Sequence, residues 1–149
     1  MGMSLLQKAL QNISRSNDSD FEGEKEEKLV RKAEAFLGIT FPPTYREFLL
    51  KLGCGNIKGI EIYGLIDDNF TISTIPNAIW LTYVERIKFN LPPYLILIGQ
   101  SQEGYYALDT SRNNADGEAP VIDWHNGLDP KKAEIVAEDF GEFLINIVK

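Results

Sequence analysis

A chain of 149 residues, 44% hydrophobic and 25% charged, is long enough to bury a core without disulfide or metal support and too apolar to stay disordered. Its 15 basic and 22 acidic residues leave a net charge of -7, which argues against nucleic acid as a direct partner because a phosphate backbone repels it. A single cysteine, Cys54, and a single histidine, His125, rule out an internal disulfide, a thiolate cluster and a His-pair metal site.

The first segment, Ser4–Arg15, places Leu5, Leu6, Ala9, Leu10 and Ile13 at helical spacing. It lacks the long apolar run and cleavage site of a signal peptide, and no apolar run approaches the ~20 residues of a membrane-spanning helix. A cytoplasmic protein with no membrane partner is therefore expected. Residues 14–23, SRSNDSDFEG, read as a polar linker. The next segment, EKEEKLVRKAEAFLG, sets Leu29, Val30, Ala33, Phe36 and Leu37 on one helical face, with Gly38 as the stop. In FPPTYREFLLKLG, Pro43 suits the first helical position, Tyr45, Phe48, Leu49 and Leu52 form the buried stripe, and Gly53 ends it.

The glycine-rich GCGNIKG reads as a loop leading into a half-buried strand, Ile60–Leu65, with Ile60 and Ile62 opposed to Glu61 and Tyr63. A helix is predicted from about Pro76 to Arg86. LPPYLILIGQ reads as a loop and then the most deeply buried strand. Gly104–Asp109 and Pro120–Trp124 read as two strands joined by a Gly/Asn/Asp-rich turn. Lys131–Val148 reads as one final helix, with Val136, Phe140, Phe143, Leu144 and Ile147 on its apolar face and Glu134, Glu138 and Glu142 opposite. The predicted order is α-α-α-β-α-β-β-β-α. This is an α+β fold: a mixed, mostly antiparallel sheet of about four or more strands with helices packed against it. One domain, residues 1–149, is expected, opened by an N-terminal helix and polar linker over 1–23.

Charge is unevenly distributed along this order. Residues 1–60 carry nine basic and eight acidic groups, residues 61–108 two and five, and residues 109–149 four and nine. The acidic end coincides with the strand pair and its aromatics Tyr105, Tyr106 and Trp124. An acidic surface with exposed aromatics suits a basic protein partner, because opposite charge speeds encounter and aromatics anchor interfaces.

Catalytic readings fare worse. Gly53-Cys54-Gly55-Asn56 lacks the Lys-Ser/Thr and the strand–turn–helix setting of a phosphate loop, and Cys54 reads as a small buried hydrophobe. In Asn114–Glu118, aligning Gly117 with a calcium loop's glycine puts the cation Arg112 at the first ligand position, which defeats the match. Glu103, Asp109, Glu118 and Asp123 contain carboxylates of the type a glycosidase pairs, but nothing in the sequence makes them converge. His125 reads as an exposed or hydrogen-bonded strand-end residue.

Several features fall in a recognisable order. Pro42, Tyr45, Phe48 and Leu49 follow a Gly-terminated helix, then come Gly53-x-Gly55 and a strand ending in Gly64. Gly-Tyr-Tyr-Ala-Leu-Asp (104–109), Gly-Glu-x-Pro-Val (117–121) and Ala-Glu-Asp-Phe-Gly-Glu-Phe-Leu (137–144) complete it. Over Glu24–Lys149 the chain resembles the SUKH superfamily, named for Syd, US-type viral and Knr homologues and including the yeast Smi/Knr cell-wall regulator domain. It departs in lacking a tryptophan in the helix before Pro42.

The resemblance implies a non-enzymatic α+β binding module with no cofactor and no fixed catalytic set. Many bacterial members are immunity proteins that neutralise a cognate toxin, often a nuclease. The expected function is binding of a basic, nuclease-type toxin domain through Asp67, Asp68, Glu103, Tyr105, Asp109, Asp116, Glu118, Asp123 and Trp124. The alternative is an intracellular regulatory or scaffold module. The oligomeric state is left open.

Overall fold

The apolar run Leu95–Gln100 forms β4, one edge of a four-stranded antiparallel sheet in the order β4-β5-β6-β7, as seen in a computed structural model that describes residues 2–149. Its partners are β5 (Tyr105–Asp109), β6 (Val121–Trp124) and β7 (Glu134–Ala137). Alternation sends successive side chains to opposite faces, and both faces are covered. Leu95, Leu97, Ala107, Ile122 and Trp124 pack with Ala78 and Leu81 of α4 (Ala78–Phe89). Ile96, Ile98, Leu108, Val121 and Ala137 join a larger core with α1 (Gly2–Ser14), α3 (Pro43–Leu52) and α5 (Phe140–Val148). Burial on two sides is why β4 is almost wholly apolar. Each fully buried Leu, Ile or Phe in the core contributes ~1.5–3 kcal/mol.

A second, three-stranded sheet corrects the reading of residues 14–23 as a linker. Ser19–Phe21 is a strand, β1, paired antiparallel to β2 (Gly55–Ile57), which in turn pairs with β3 (Ile60–Ile62). Backbone bonds from Glu22 N–H to Cys54 O and from Lys58 N–H to Asp18 O, both 2.8 Å, extend the β1–β2 ladder. The GCGNIKG segment is thus a strand and a tight turn, not a loop. Lys58 and Gly59 both take positive φ, 54° and 80°, as a two-residue hairpin turn requires. Gly55 is needed for contact, since a Cβ there would strike the Asp20 carbonyl and Phe21. The Tyr63 N–H donates to Ile98 O at 2.9 Å and so seats the small sheet against β4. The strand read over Ile60–Leu65 ends at Ile62; Ile60 is exposed, while Ile62 and Tyr63 are buried.

Helices α2 (Glu27–Leu37) and α3 form largely where the apolar stripes place them. Gly38 closes α2 in the left-handed conformation, φ 70°, and Pro43 sits in the first turn of α3. Arg46 of α3 holds Glu27 and Glu34 of α2, tying the two helices together. The guanidinium beside Glu27 lowers that carboxyl's pKa. Helix α4 starts later than Pro76 because buried Asn77 caps it: its Oδ1 accepts from the N–H groups of Ile79 and Trp80 at 3.0 and 3.1 Å. Asn77→Ala removes that acceptor and is expected to cost about 1–2 kcal/mol, measured by urea denaturation, with Asn77→Asp recovering most of it. Equal stability of the two variants would show that the cap contributes nothing.

The predicted helix Lys131–Val148 also needs correction. Only Phe140–Val148 is helical, and Glu134–Ala137 is the outer strand β7. Asp139 breaks the run by capping α5, with Oδ1 accepting from Glu142 N–H at 2.8 Å, while Glu142 Oε1 reaches back to Glu138 N–H at 2.9 Å. Glu134, Glu138 and Glu142 therefore do not share a helix face.

Candidate partner-binding surface

Three of the nine expected contact residues are inside the fold. Asp109 is fully buried and pins the turn after β5, accepting from Ser111 N–H (3.0 Å), Ser111 Oγ (2.6 Å) and Arg112 Nε (2.8 Å). Glu118 is buried against the start of α3, accepting from Thr44 N–H (3.1 Å) and Thr44 Oγ1 (2.8 Å). Trp124 is buried on the α4 side of the sheet, its indole N–H bonded to Leu128 O at 2.8 Å. These groups have partners already and present nothing to a second protein.

The six remaining residues are dispersed. Asp67 and Asp68 line a cleft of about 460 Å³ that also contains Lys25, Lys28 and Lys32, and Asp68 pairs with Lys32 at 3.5 Å. The charge of Asp68 is thus met locally. Asp116 is exposed in the turn that Asn114 Oδ1 organises, with Gly117 against Pro43. Glu103 and Tyr105 line a second cleft of about 450 Å³ at the β4–β5 connection, with Tyr63, Ile75, Gln100 and Asn126. Asp123 lies on the opposite face of the sheet from Tyr105 and Trp124, directly across from Tyr106 on β5 and Glu134 on β7.

That opposite face contains what the sequence reading missed. Helix α5 leaves part of it open, and a groove of about 370 Å³ runs between Ile60, Tyr106, Val136, Phe143 and Ile147. Tyr106 is half-buried there, its ring 5.2 Å from that of Phe143. Gln100 lines both this groove and the cleft of Glu103 and Tyr105, so the two meet at one end of the sheet.

The electrostatics of this end are unbalanced. Residues directly opposite in an antiparallel pair share a face, and like charges there repel. Asp123 and Glu134 are such a pair, and neither forms an ion pair among the described residues. Glu103 and Glu61 are exposed and likewise without an ion pair. An arriving cation would relieve that repulsion. By contrast, the free thiol of Cys54 is buried and pushed up to about 11 by desolvation, with no sign of nucleophilic activation.

Helices on both faces of an antiparallel sheet, with an aromatic groove and carboxylates without an ion pair among the described residues at one end, make an α+β domain. Residues 4–149 match the SMI1-KNR4 cell-wall family, SUKH_5. The chain belongs to this family, a branch of the SUKH superfamily whose members are generally non-catalytic. The match begins at residue 4, so α1 lies inside the family domain and is not an addition to it. Among the described residues, no helix is long and apolar enough to cross a membrane.

Proposed function

We propose that this chain is a cytoplasmic immunity protein of a bacterial toxin system, which binds and neutralises a cognate toxin whose contact surface is basic, of nuclease type. The observation carrying this reading is the Asp123–Glu134 carboxylate pair, held across strands without a cation and beside the Tyr106–Phe143 groove. Carboxylates in that arrangement take the place of phosphates against Lys and Arg in a nuclease groove, and Tyr106 and Phe143 supply apolar anchoring. Glu103 and Tyr105 extend the same surface. Asp67, Asp68 and Asp116 lie in other parts of the molecule.

The test is capture of the toxin from the native host with the tagged protein, followed by association kinetics. Replacing both Asp123 and Glu134 by Lys is expected to slow association on the order of 10-fold at low salt, with the penalty shrinking toward 0.5 M salt, where the Debye length is ~4 Å. An unchanged on-rate at low salt removes this surface from the proposal. The family's cell-wall description favours a second reading, an intracellular regulatory module. Recovery of endogenous signalling proteins in place of a basic toxin domain would select it.

A further inference from the structure

We infer that the cleft between Tyr63 and Tyr105 is a receptor for one arginine side chain of the protein partner. The inference rests on the binding-module reading only for where that arginine comes from; the chemistry of the cleft stands by itself.

Tyr63 is 2% exposed, yet its hydroxyl has no hydrogen-bond partner among the described residues. The residue lines the cleft, and that hydroxyl opens into it. The hydroxyl is nearly buried but not sealed from solvent, so a donor arriving through the cleft can reach it, and a ligand that supplies that donor replaces solvent there. Burial pushes the hydroxyl up to about 12, with Glu61 and Tyr105 adding to the effect, so its proton stays on at neutral pH. It can accept a hydrogen bond from a cation and never becomes a competing anion.

The surrounding groups define the cation. Tyr105, half-buried beside Glu85 of α4, lines the cleft. Glu103 is exposed at the rim and engaged by no other side chain, and Gln100 and Asn126 bring exposed amide oxygens. Ile75, 40% exposed, closes the apolar side. Acceptors dispersed around a cleft lined by two tyrosines match a guanidinium, which carries five N–H donors in a plane and stacks on aromatic rings. An ammonium, a point charge with three donors, uses fewer of these groups and keeps its water more tightly.

The experiment is a titration of the full chain, followed by amide NMR, with N-acetyl-arginine methylamide and, separately, N-acetyl-lysine methylamide. The expected result is saturable shifts at Ser101, Gly104, Tyr105 and Asn126, with an affinity on the order of millimolar for so small a probe. The lysine probe is expected to bind at least about 3-fold more weakly. Tyr63→Phe, which deletes an unpartnered hydroxyl and leaves the packing intact, is expected to weaken arginine binding about 3- to 10-fold; Glu103→Gln is expected to weaken it comparably. Non-saturating shifts, equal response to both probes, or Tyr63→Phe binding arginine as wild type would each overturn the inference. Arginine binding without any captured toxin would refute the proposed function and leave the receptor cleft standing. A captured toxin with no arginine response would do the reverse.

Discussion

Phe140→Ala is expected to destabilise the protein by about 3–5 kcal/mol, the upper end of what a single core truncation costs. The side chain is fully buried and sits where three elements meet. Its ring lies 5.0 Å from Tyr45 and 5.0 Å from Phe48 on α3, and 6.1 Å from Phe143 on its own helix. Phe143 in turn rests on Tyr106 of β5. Truncation therefore opens a cavity between α3 and α5 and deprives four aromatic rings, directly or through a neighbour, of support. In a protein of this size the loss corresponds to a fall in Tm on the order of 10 °C. Phe140→Leu, which keeps most of the volume, should cost less than about half as much. A loss below about 1 kcal/mol for the alanine variant would mean that the site collapses and that this cluster does not join the two helices.

The same cluster supports the groove in which the proposed partner sits. Tyr106 and Phe143 line the groove, and Phe143 is held from behind by Phe140. A sequence reading can find each of these aromatics but not the face that remains open. On a sheet covered by helices on one side only, alternation separates core from solvent. Here helices cover both sides, so Tyr105 and Tyr106 are both half-buried and alternation assigns them to different layers without saying which layer has a gap. The gap depends on the nine-residue length of α5 and on the position of Ile60, a residue 46 places away from Tyr106 in the chain. Tyr105 and Trp124 stand out in the strand pair as sequence, and they point toward α4.

Secondary structure is legible where the pattern is strong. The run Leu95–Gly99, the glycines after α2 and α3, and the β5–β6 pair all carry local signals that the tertiary structure respects. The strands that escape such a reading are three or four residues long and polar or exposed: Ser19–Phe21, Gly55–Ile57 and Glu134–Ala137. Their formation depends on partners distant in the chain. For β7 a usable signal does exist. Asp139-x-x-Glu142 is a helix-start pattern, and it places the beginning of α5 after Ala137 despite the helical spacing of Val136. Charged residues are harder still, because Asp109, Glu118 and Asp123 look alike in sequence. Only the presence of Arg112 and Thr44 beside the first two separates an internal tie from a free carboxylate.

Glu118 provides the second large effect, and one with a definite pH dependence. Pro42 and Pro43 precede Thr44 at the start of α3, and neither side chain offers an oxygen to cap the helix. Glu118, 74 residues away, supplies it with both carboxylate oxygens. Glu118→Ala leaves the Thr44 N–H and hydroxyl buried without that acceptor and is expected to cost about 1–3 kcal/mol. Burial raises the Glu118 pKa, opposed by the two bonds from Thr44 and reinforced by Asp139 and Asp116. A carboxyl whose folded-state pKa lies above its unfolded value favours folding below the unfolded pKa, and that contribution is lost as pH rises through the folded one. Ionisation of Glu118 in the folded state therefore opposes folding. Glu118→Gln keeps an acceptor for the Thr44 N–H and removes the charge. Its stability relative to wild type should increase as pH rises from the unfolded carboxylate range through the raised folded-state pKa, as followed by denaturation at each pH. Glu27, lowered by its hydrogen bond to Arg46, shifts the opposite way but is common to both proteins and drops out of the difference. Parallel curves would show that the buried carboxylate carries no net penalty. Because Glu118 faces α3 and not the groove, Glu118→Gln should leave association with the proposed partner unchanged, whereas the Lys substitutions at Asp123 and Glu134 are expected to slow it.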